Sequence, residues 1–258
     1  MKRFLKSILR LLPTHARLSL VQHIRWLRRR REAKPYLGEG LECACCGQHW
    51  REFVPAGDPI RSGEQCLRCG AGRRQRLLAV YLTEELGGRS HLRVLHFAPE
   101  ISLSRPLVAV AGVDYLSIDL HPDMGMMQGD ITDVPLGDDE FDAVVCTHVL
   151  EHVLDDTKAM SEIVRVMKPD GTAYIMVPQE MAREETYEDE TVVTPEARRQ
   201  AFGQDDHVRI YGRDFVDRLQ AAGFSVREVR TPDVADPETC RKFGLGEDLI
   251  YVCTAPER

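Results

Sequence analysis

The stretch Phe141-Asp142-Ala143-Val144-Val145-Cys146-Thr147-His148-Val149-Leu150-Glu151-His152 decides the fold of this chain. Its first half is a short apolar run, the mark of a strand buried on both faces, and such strands belong to parallel sheets covered by helices. The second half is polar, with His148 and His152 four residues apart, a spacing that suits one helical face. Outward from it, similar apolar segments recur at 92–97, 115–119, 172–177, 224–230 and 249–254. Helical patterning fills 155–167 and 213–222. The first helix is expected to stop at Lys168-Pro169-Asp170-Gly171 and the second at Gly223. Strands alternating with crossover helices predict an α/β fold with a doubly wound, mostly parallel sheet. Ligands on such sheets sit beyond the carboxyl ends of the strands.

A second module precedes this one. Cys43-Ala44-Cys45-Cys46-Gly47 and Cys66-Leu67-Arg68-Cys69-Gly70 each read C-x-x-C-G, and nineteen residues separate Cys46 from Cys66. That is the spacing of a four-thiolate zinc site, in which Cys43, Cys46, Cys66 and Cys69 hold one Zn(2+) and leave no open position. The glycine after each pair permits the tight turn. Cys45 is set aside because only Cys43 and Cys46 repeat the Cys66/Cys69 pattern. Cys146, Cys240 and Cys253 read as small buried hydrophobes. Eight cysteines in 258 residues is far from a disulfide scaffold, and no signal peptide is visible, so a reduced, cytoplasmic setting is expected.

Hydrophobic content of 43% and charged content of 29% suit a chain that buries a real core. The net charge of −7 is unevenly spread: residues 1–34 hold eleven of the 34 basic residues and one of the 41 acidic ones, so this head carries +10 and the remainder −17. Apolar residues recur at helical spacing in the head (Leu5, Ile8, Leu9, Leu12, then Leu20, Ile24, Leu27), broken by Pro13 and closed by Arg28-Arg29-Arg30-Arg31. A basic amphipathic arm of this kind suits peripheral contact with the inner membrane surface, a partner, or docking on its own acidic body. No uncharged run approaches the length of a membrane span. The expected division is a basic arm at 1–39, a zinc ribbon at 40–74 and a catalytic domain at 75–258.

Carboxylates mark the strand ends. Asp119 closes its strand, where an acid can accept hydrogen bonds from both hydroxyls of a ribose. Gly129-Asp130-Ile131 offers a carboxylate beside an apolar residue, suited to the edge and face of an adenine.

These residues carry a resemblance. Asp-Tyr-Leu-Ser-Ile-Asp (114–119), Gly-Asp-Ile-Thr-Asp-Val-Pro (129–135), the run 141–153 and Arg-Val-Met-Lys-Pro-Asp-Gly-Thr (165–172) resemble the class I S-adenosylmethionine-dependent methyltransferases of the type 11 group. With the ribbon and Asp206-His207-Val208-Arg209-Ile210-Tyr211-Gly212, nearly all of 40–255 is similar to ribbon-bearing bacterial members of that group. The resemblance implies a seven-stranded sheet with an antiparallel hairpin at one edge, residues 224–254. It implies Asp119 on the cofactor ribose and Asp130 with Ile131 at the adenine, with His96, Ala98, Leu120 and Thr147 in the same cofactor site. The family's glycine-rich loop is missing: Val94-Leu95-His96-Phe97-Ala98-Pro99-Glu100 contains no glycine. S-adenosylmethionine has no phosphate and asks less of the loop than a dinucleotide does. Glu100 is assigned to its α-ammonium group, or else to capping the next helix.

Methyl transfer from a sulfonium requires alignment, and a hydroxyl acceptor also benefits from a base that titrates near neutrality. His148, His152 and His207 are the candidates. The charged stretch 179–204 falls where an acceptor lid would lie, with Arg183, Tyr187, Arg209 and Tyr211 as acceptor contacts. The acidic body favours a small-molecule acceptor such as a sugar, glycan precursor or hydroxylated metabolite, because polyanions prefer basic clefts. Two other readings stand beside it. One is an RNA methyltransferase gripping nucleic acid through the ribbon, where Arg68, Arg73, Arg74 and Arg76 cluster, and the arm. The other is a non-catalytic adapter.

Overall fold

The computed structural model describes residues 27, 29–57 and 60–255; most of the basic arm lies outside them. The described chain forms two compact units. One runs up to His91 and adds Glu100–Val113 and Arg230–Leu249; the other comprises Leu92–Pro99, Asp114–Val229 and the chain from Ile250 onward.

In the first unit, residues 29–33 are helical and lead into two small antiparallel ribbons. Strands β1 (Leu37–Glu42) and β2 (His49–Trp50) pair across the first cysteine knuckle, and β3 (Val54–Ala56) pairs with β4 (Arg61–Gln65) just before the second. Helix α1 (Arg73–Leu86) follows and buries Leu77, Leu78, Tyr81, Leu82 and Leu86. Its first turn is tied down by two side chains. Gln75 reaches back to accept from the Gly72 amide at 2.8 Å, and Glu64 accepts from the Arg73 amide at 3.1 Å. Both replace bonds that a helix start otherwise lacks. Helix α2 spans Ile101–Ala109.

Arg76 holds this unit together. Its side chain is fully buried, lies over the Phe53 ring at 3.8 Å, and donates to the carbonyls of Glu64, Ala71, Phe243 and Gly244 at 2.7–3.0 Å. A buried guanidinium is tolerable only when its donors are satisfied, and here four carbonyls from separated segments do so. This corrects one expectation. Arg76 is not part of a basic surface, and its neighbours are paired too: Arg73 with Ser62 and Glu64, Arg74 with Glu100, Arg68 with Gln48.

The second unit is built on a seven-stranded sheet, order β12-β13-β9-β8-β5-β6-β7. Its strands are β5 (Leu92–Phe97), β6 (Val113–Asp119), β7 (Met127–Gln128), β8 (Phe141–Thr147), β9 (Met167–Met176), β12 (Ser225–Arg230) and β13 (Leu249–Thr254). β5, β8 and β9 run parallel, as do β6 and β7, while β13 is antiparallel to β9. The expected hairpin at 224–254 is an edge pair, β12 beside β13, whose connection carries two short helices, α6 (Thr231–Val234) and α7 (Pro237–Phe243). The central strands bury apolar side chains: in β8, Phe141, Ala143, Val144, Val145 and Cys146 are all essentially inaccessible. Cys253 is equally buried, which pushes its thiol up, whereas Cys240 is only half-buried.

Helix α3 (Asp156–Val166) starts where Asp155 accepts from the Lys158 amide at 2.9 Å. It stops before Lys168, as expected, but no separate turn follows. The chain passes straight into β9 at Met167, and the register jumps from Phe141↔Met167 to Ala143↔Thr172. Lys168–Gly171 therefore bulge out, with Asp170 left-handed at φ 63°. Proline lacks a ladder donor and Asp170 needs a positive φ, so the same residues that signal a stop can also make a bulge. Between β9 and α5 (Phe215–Ala221), the charged stretch forms β10 (Tyr187–Glu188), helix α4 (Pro195–Phe202) and β11 (Arg209–Ile210), with β10 antiparallel to β11. Among the described residues no helix is long and apolar enough to cross a membrane.

Replacing Arg76 with Ala leaves four carbonyls without their partner. Denaturant unfolding should register a loss of at least about 3 kcal/mol; a loss under 1 kcal/mol would show that those carbonyls find other donors.

Candidate functional site

The carboxyl ends of β5, β6 and β8 carry the features that matter. Just past β5, Ala98 is left-handed at φ 45°, and its amide donates to the Ile118 carbonyl at 2.8 Å. The loop without a glycine thus adopts the backbone a glycine would have served. Just past β8, His148 is also left-handed, at φ 52°, with its amide on the Met176 carbonyl. Such conformations in non-glycine residues are strained and tend to gather at functional sites.

Asp119 ends β6. One carboxylate oxygen accepts from the His121 amide at 2.7 Å, and among the described residues the other has no hydrogen bond. Gly125 allows this loop to close. A Cβ there would stand 2.7 Å from the Asp119 nitrogen and 2.9 Å from the Met127 oxygen. Asp130 follows β7 and repeats the arrangement, one oxygen taking both the amide and the hydroxyl of Thr132 at 2.8 Å. Ile131 is buried beside it, Leu120 is 61% exposed, and Thr147 is buried at the end of β8. His96 is an interior residue. It is wholly inaccessible, with its Nδ1 3.0 Å from the Tyr115 hydroxyl, which corrects its assignment to cofactor contact. Glu100 belongs to the other unit. Its carboxylate takes Gln75 at 3.1 Å and lies 3.8 Å from Arg74, and it makes no side-chain cap on α2.

The three candidate histidines converge on a residue that sequence reasoning passed over. Glu151 is 1% exposed, and His148 Nδ1 lies 3.1 Å from one of its oxygens. His152 and His207 pack edge to face with ring centroids 4.7 Å apart. One ligand atom from each of Glu151, His152 and His207 lies within 4.8 Å of the other two. Burial pulls the His207 pKa below its ordinary value, so the ring is neutral at neutral pH.

Arg209 and Tyr211 support this cluster, and their assignment as acceptor contacts is corrected. Arg209, 3% exposed, donates to the carbonyls of Leu150, Val153 and Leu154 and to Glu188. It thereby clamps the short 3-10 turn Leu150–His152 to β11, and the Val208 amide adds a bond to the Glu151 carbonyl at 2.9 Å. Tyr211 is fully buried and donates to Asp156, which Arg218 also grips at 2.8 Å. Burial pushes the Tyr211 phenol well up. Arg183 and Tyr187 remain at the surface, the guanidinium 5.5 Å from the ring.

In the first unit the four cysteines come together. Sγ atoms of Cys43 and Cys69 are 3.6 Å apart and those of Cys46 and Cys66 3.8 Å, with all four ligand atoms within 4.8 Å. Tetrahedral Zn–S bonds of ~2.3 Å require an S···S separation of ~3.8 Å, so the donor set fits a thiophilic dication. The knuckles close through Gly47 on the Cys43 carbonyl and Gly70 on the Cys66 carbonyl, both at 2.8 Å and both glycines at positive φ. Cys45 turns away and donates to the Gln75 carbonyl.

Residues 69–175 match the methyltransferase domain family. The chain carries a methyltransferase domain over that stretch. Curated relatives agree. Demethylmenaquinone methyltransferase of Renibacterium salmoninarum is 34% identical over 41% of this chain and 48% of its own length. The 2-phytyl-1,4-beta-naphthoquinone methyltransferase of Arabidopsis thaliana is 30% identical over 50% of this chain and 48% of its own. The chain thus spans about half the length of these relatives. A chain of the complex between the Haloferax volcanii Trm112 methyltransferase activator and a methyltransferase shares the fold, with TM-score 0.50 and 19% identity over 71% of this chain and 91% of that one.

Some residues of the methyltransferase domain gave no signal beforehand. Glu151 sits inside an obvious motif, but only its burial among three histidines singles it out. Asp156 looks like an ordinary helix-start acid until Arg209, Tyr211 and Arg218 close around it.

The strained loop after β5 is testable. Ala98→Gly should leave unfolding unchanged or raise stability by up to about 1 kcal/mol, because relief of the left-handed conformation opposes the added freedom of the unfolded chain. Ala98→Val should lower stability. Equal behaviour of the two variants in thermal melts would contradict the assigned backbone.

Proposed function

We propose that this chain transfers a methyl group from S-adenosylmethionine to a small hydroxylated acceptor, such as a sugar, a glycan precursor or a related metabolite. Asp119 carries the reading: a carboxylate at the carboxyl end of β6, with one oxygen pinned by its own loop and the other uncommitted. Such a group suits a ribose diol, and Asp130 beside buried Ile131 suits an adenine edge and face. Ala98, Leu120 and Thr147 complete the proposed cofactor contacts. When bound, S-adenosylmethionine supplies a methyl group on a sulfonium and departs as a neutral thioether.

His148 is the preferred base. It lies just past β8, is partly exposed, and has Nδ1 3.1 Å from the buried Glu151 carboxylate. A carboxylate that close favours the tautomer with its proton on Nδ1 and leaves Nε2 to take the acceptor's hydroxyl proton. His207 is too buried to meet an acceptor readily, and His152 Nδ1 faces the Asp206 carbonyl rather than a buried carboxylate. Arg183 and Tyr187 are the acceptor contacts that stay at the surface. The quinone names of the curated relatives support a small acceptor over a polymer. Pairing of the ribbon arginines and burial of Arg76 weigh against an RNA grip.

The four thiolates are proposed to hold a structural zinc in a cytoplasmic protein, with the +10 head for peripheral contact at the inner membrane surface. Purified chain should contain one thiolate-bound zinc. Cobalt exchanged into that position should give a strong sulfur-to-metal charge-transfer band that Cys66→Ser abolishes; an unchanged band in this variant would rule the assignment out.

Calorimetry with S-adenosylhomocysteine and turnover against a panel of hydroxylated sugars and naphthoquinols test the activity. Asp119→Ala should weaken S-adenosylhomocysteine by tenfold or more, the loss of one charge-assisted contact. His148→Ala should keep that affinity while kcat falls by about 10²–10⁴. Wild-type protein that ignores S-adenosylhomocysteine would overturn the reading and favour an adapter.

A further inference from the structure

The geometry points to a second metal site, in which Glu151, His152 and His207 bind one divalent transition-metal ion. Three observations converge. First, the Glu151 carboxylate is 1% exposed, and among the described residues neither oxygen accepts a well-formed hydrogen bond. Its nearest basic group is the His148 ring at 3.1 Å. A buried carboxylate without an arginine, a lysine or amides around it is expensive, and a cation is the simplest remedy.

Second, the ring orientation of His152 is set. Its Nδ1 lies 3.2 Å from the Asp206 carbonyl, which can only accept, so Nδ1 carries the proton and Nε2 keeps its lone pair. Ligating histidines characteristically donate their other N–H to a carbonyl or carboxylate in this way. Third, the donors come from two chain segments already fastened together. Arg209 bonds the carbonyls around the turn bearing Glu151 and His152, and the Val208 amide bonds Glu151 from the segment bearing His207.

Two imidazoles and one carboxylate form a donor set suited to Zn, Fe(II), Mn or Co, with coordination positions left over. Ligand atoms within 4.8 Å of one another must close to ~3.0–3.4 Å around bonds of ~2.1 Å, a shift of about 1 Å that rotamer adjustment can deliver. The vacant positions would take water or an oxygen of a ligand. His148 then orients the carboxylate, as an outer partner of a ligand does. Metal binding at this cluster stands independently of methyl transfer.

The test uses full-length chain with zinc occupying the four thiolates. Co(II) is titrated by calorimetry and visible absorption. Wild type should take up one further equivalent, with weak ligand-field bands and no sulfur charge-transfer. Glu151→Gln, which preserves shape, and His207→Ala should each weaken that binding at least tenfold. Cys66→Ser should retain it. Circular dichroism checks folding; if His207→Ala unfolds, His152→Ala takes its place. Failure of folded wild type to bind a second equivalent overturns the inference, and so does binding that Glu151→Gln leaves unchanged, which would mark surface adsorption. A protein that binds Co(II) here but no S-adenosylhomocysteine would keep the metal site while losing the transferase reading, and the converse result would do the opposite.

Discussion

Parallel pairing of β5, β8 and β9 is the constraint on which the second unit depends. Parallel neighbours must all begin at one edge of the sheet and end at the other, so every loop that leaves a strand's carboxyl end is delivered to the same side. The residues of the candidate site therefore come from distant parts of the chain without any special folding device. The price of that arrangement is backbone strain where the chain must turn sharply out of the sheet, at Ala98 beyond β5 and His148 beyond β8.

Buried charge organises both units, in two different ways. Around Arg76 the guanidinium is satisfied by carbonyls alone, so a single cation stitches together pieces of chain that share no regular hydrogen bonding. Around Asp156 the balance is ionic: one inaccessible carboxylate is met by Arg209, Arg218 and a phenol. Each arrangement leaves little unsatisfied, and each is a place where removing one partner harms all the others. Glu151 stands apart because its compensation is so thin.

Much of the second unit could be read in advance because its signals are local. Largely apolar runs mark β5 and β8, Asp155 marks the start of α3, and acids at strand ends mark Asp119 and Asp130. The four-cysteine cluster was legible because ligand spacing is itself a local property. What escaped was decided by tertiary packing. His96 has the composition of a site residue, yet the alternation of its strand points it at Tyr115. Arg209 and Tyr211 lie in a polar motif that looks exposed, and only the folded chain shows them turned inward. Lys168–Gly171 does follow the end of its helix, but its second role as a bulge is set by the neighbouring strand. The arginines after the second knuckle read as a basic patch because pairing with Glu64, Glu100 and backbone carbonyls is invisible in one dimension.

The two acceptors that Arg76 finds at Glu64 and Ala71 flank the second cysteine knuckle, while the two at Phe243 and Gly244 lie far along the chain. Loosening of the knuckle would strand the guanidinium halfway along its circle of partners, and the loss would be felt at Phe243 as well as at Cys66. Order in the cysteine knuckle is consequently coupled to order in a helix more than 160 residues downstream. Assembly of this unit is therefore an all-together event that must wait for the segment around Phe243.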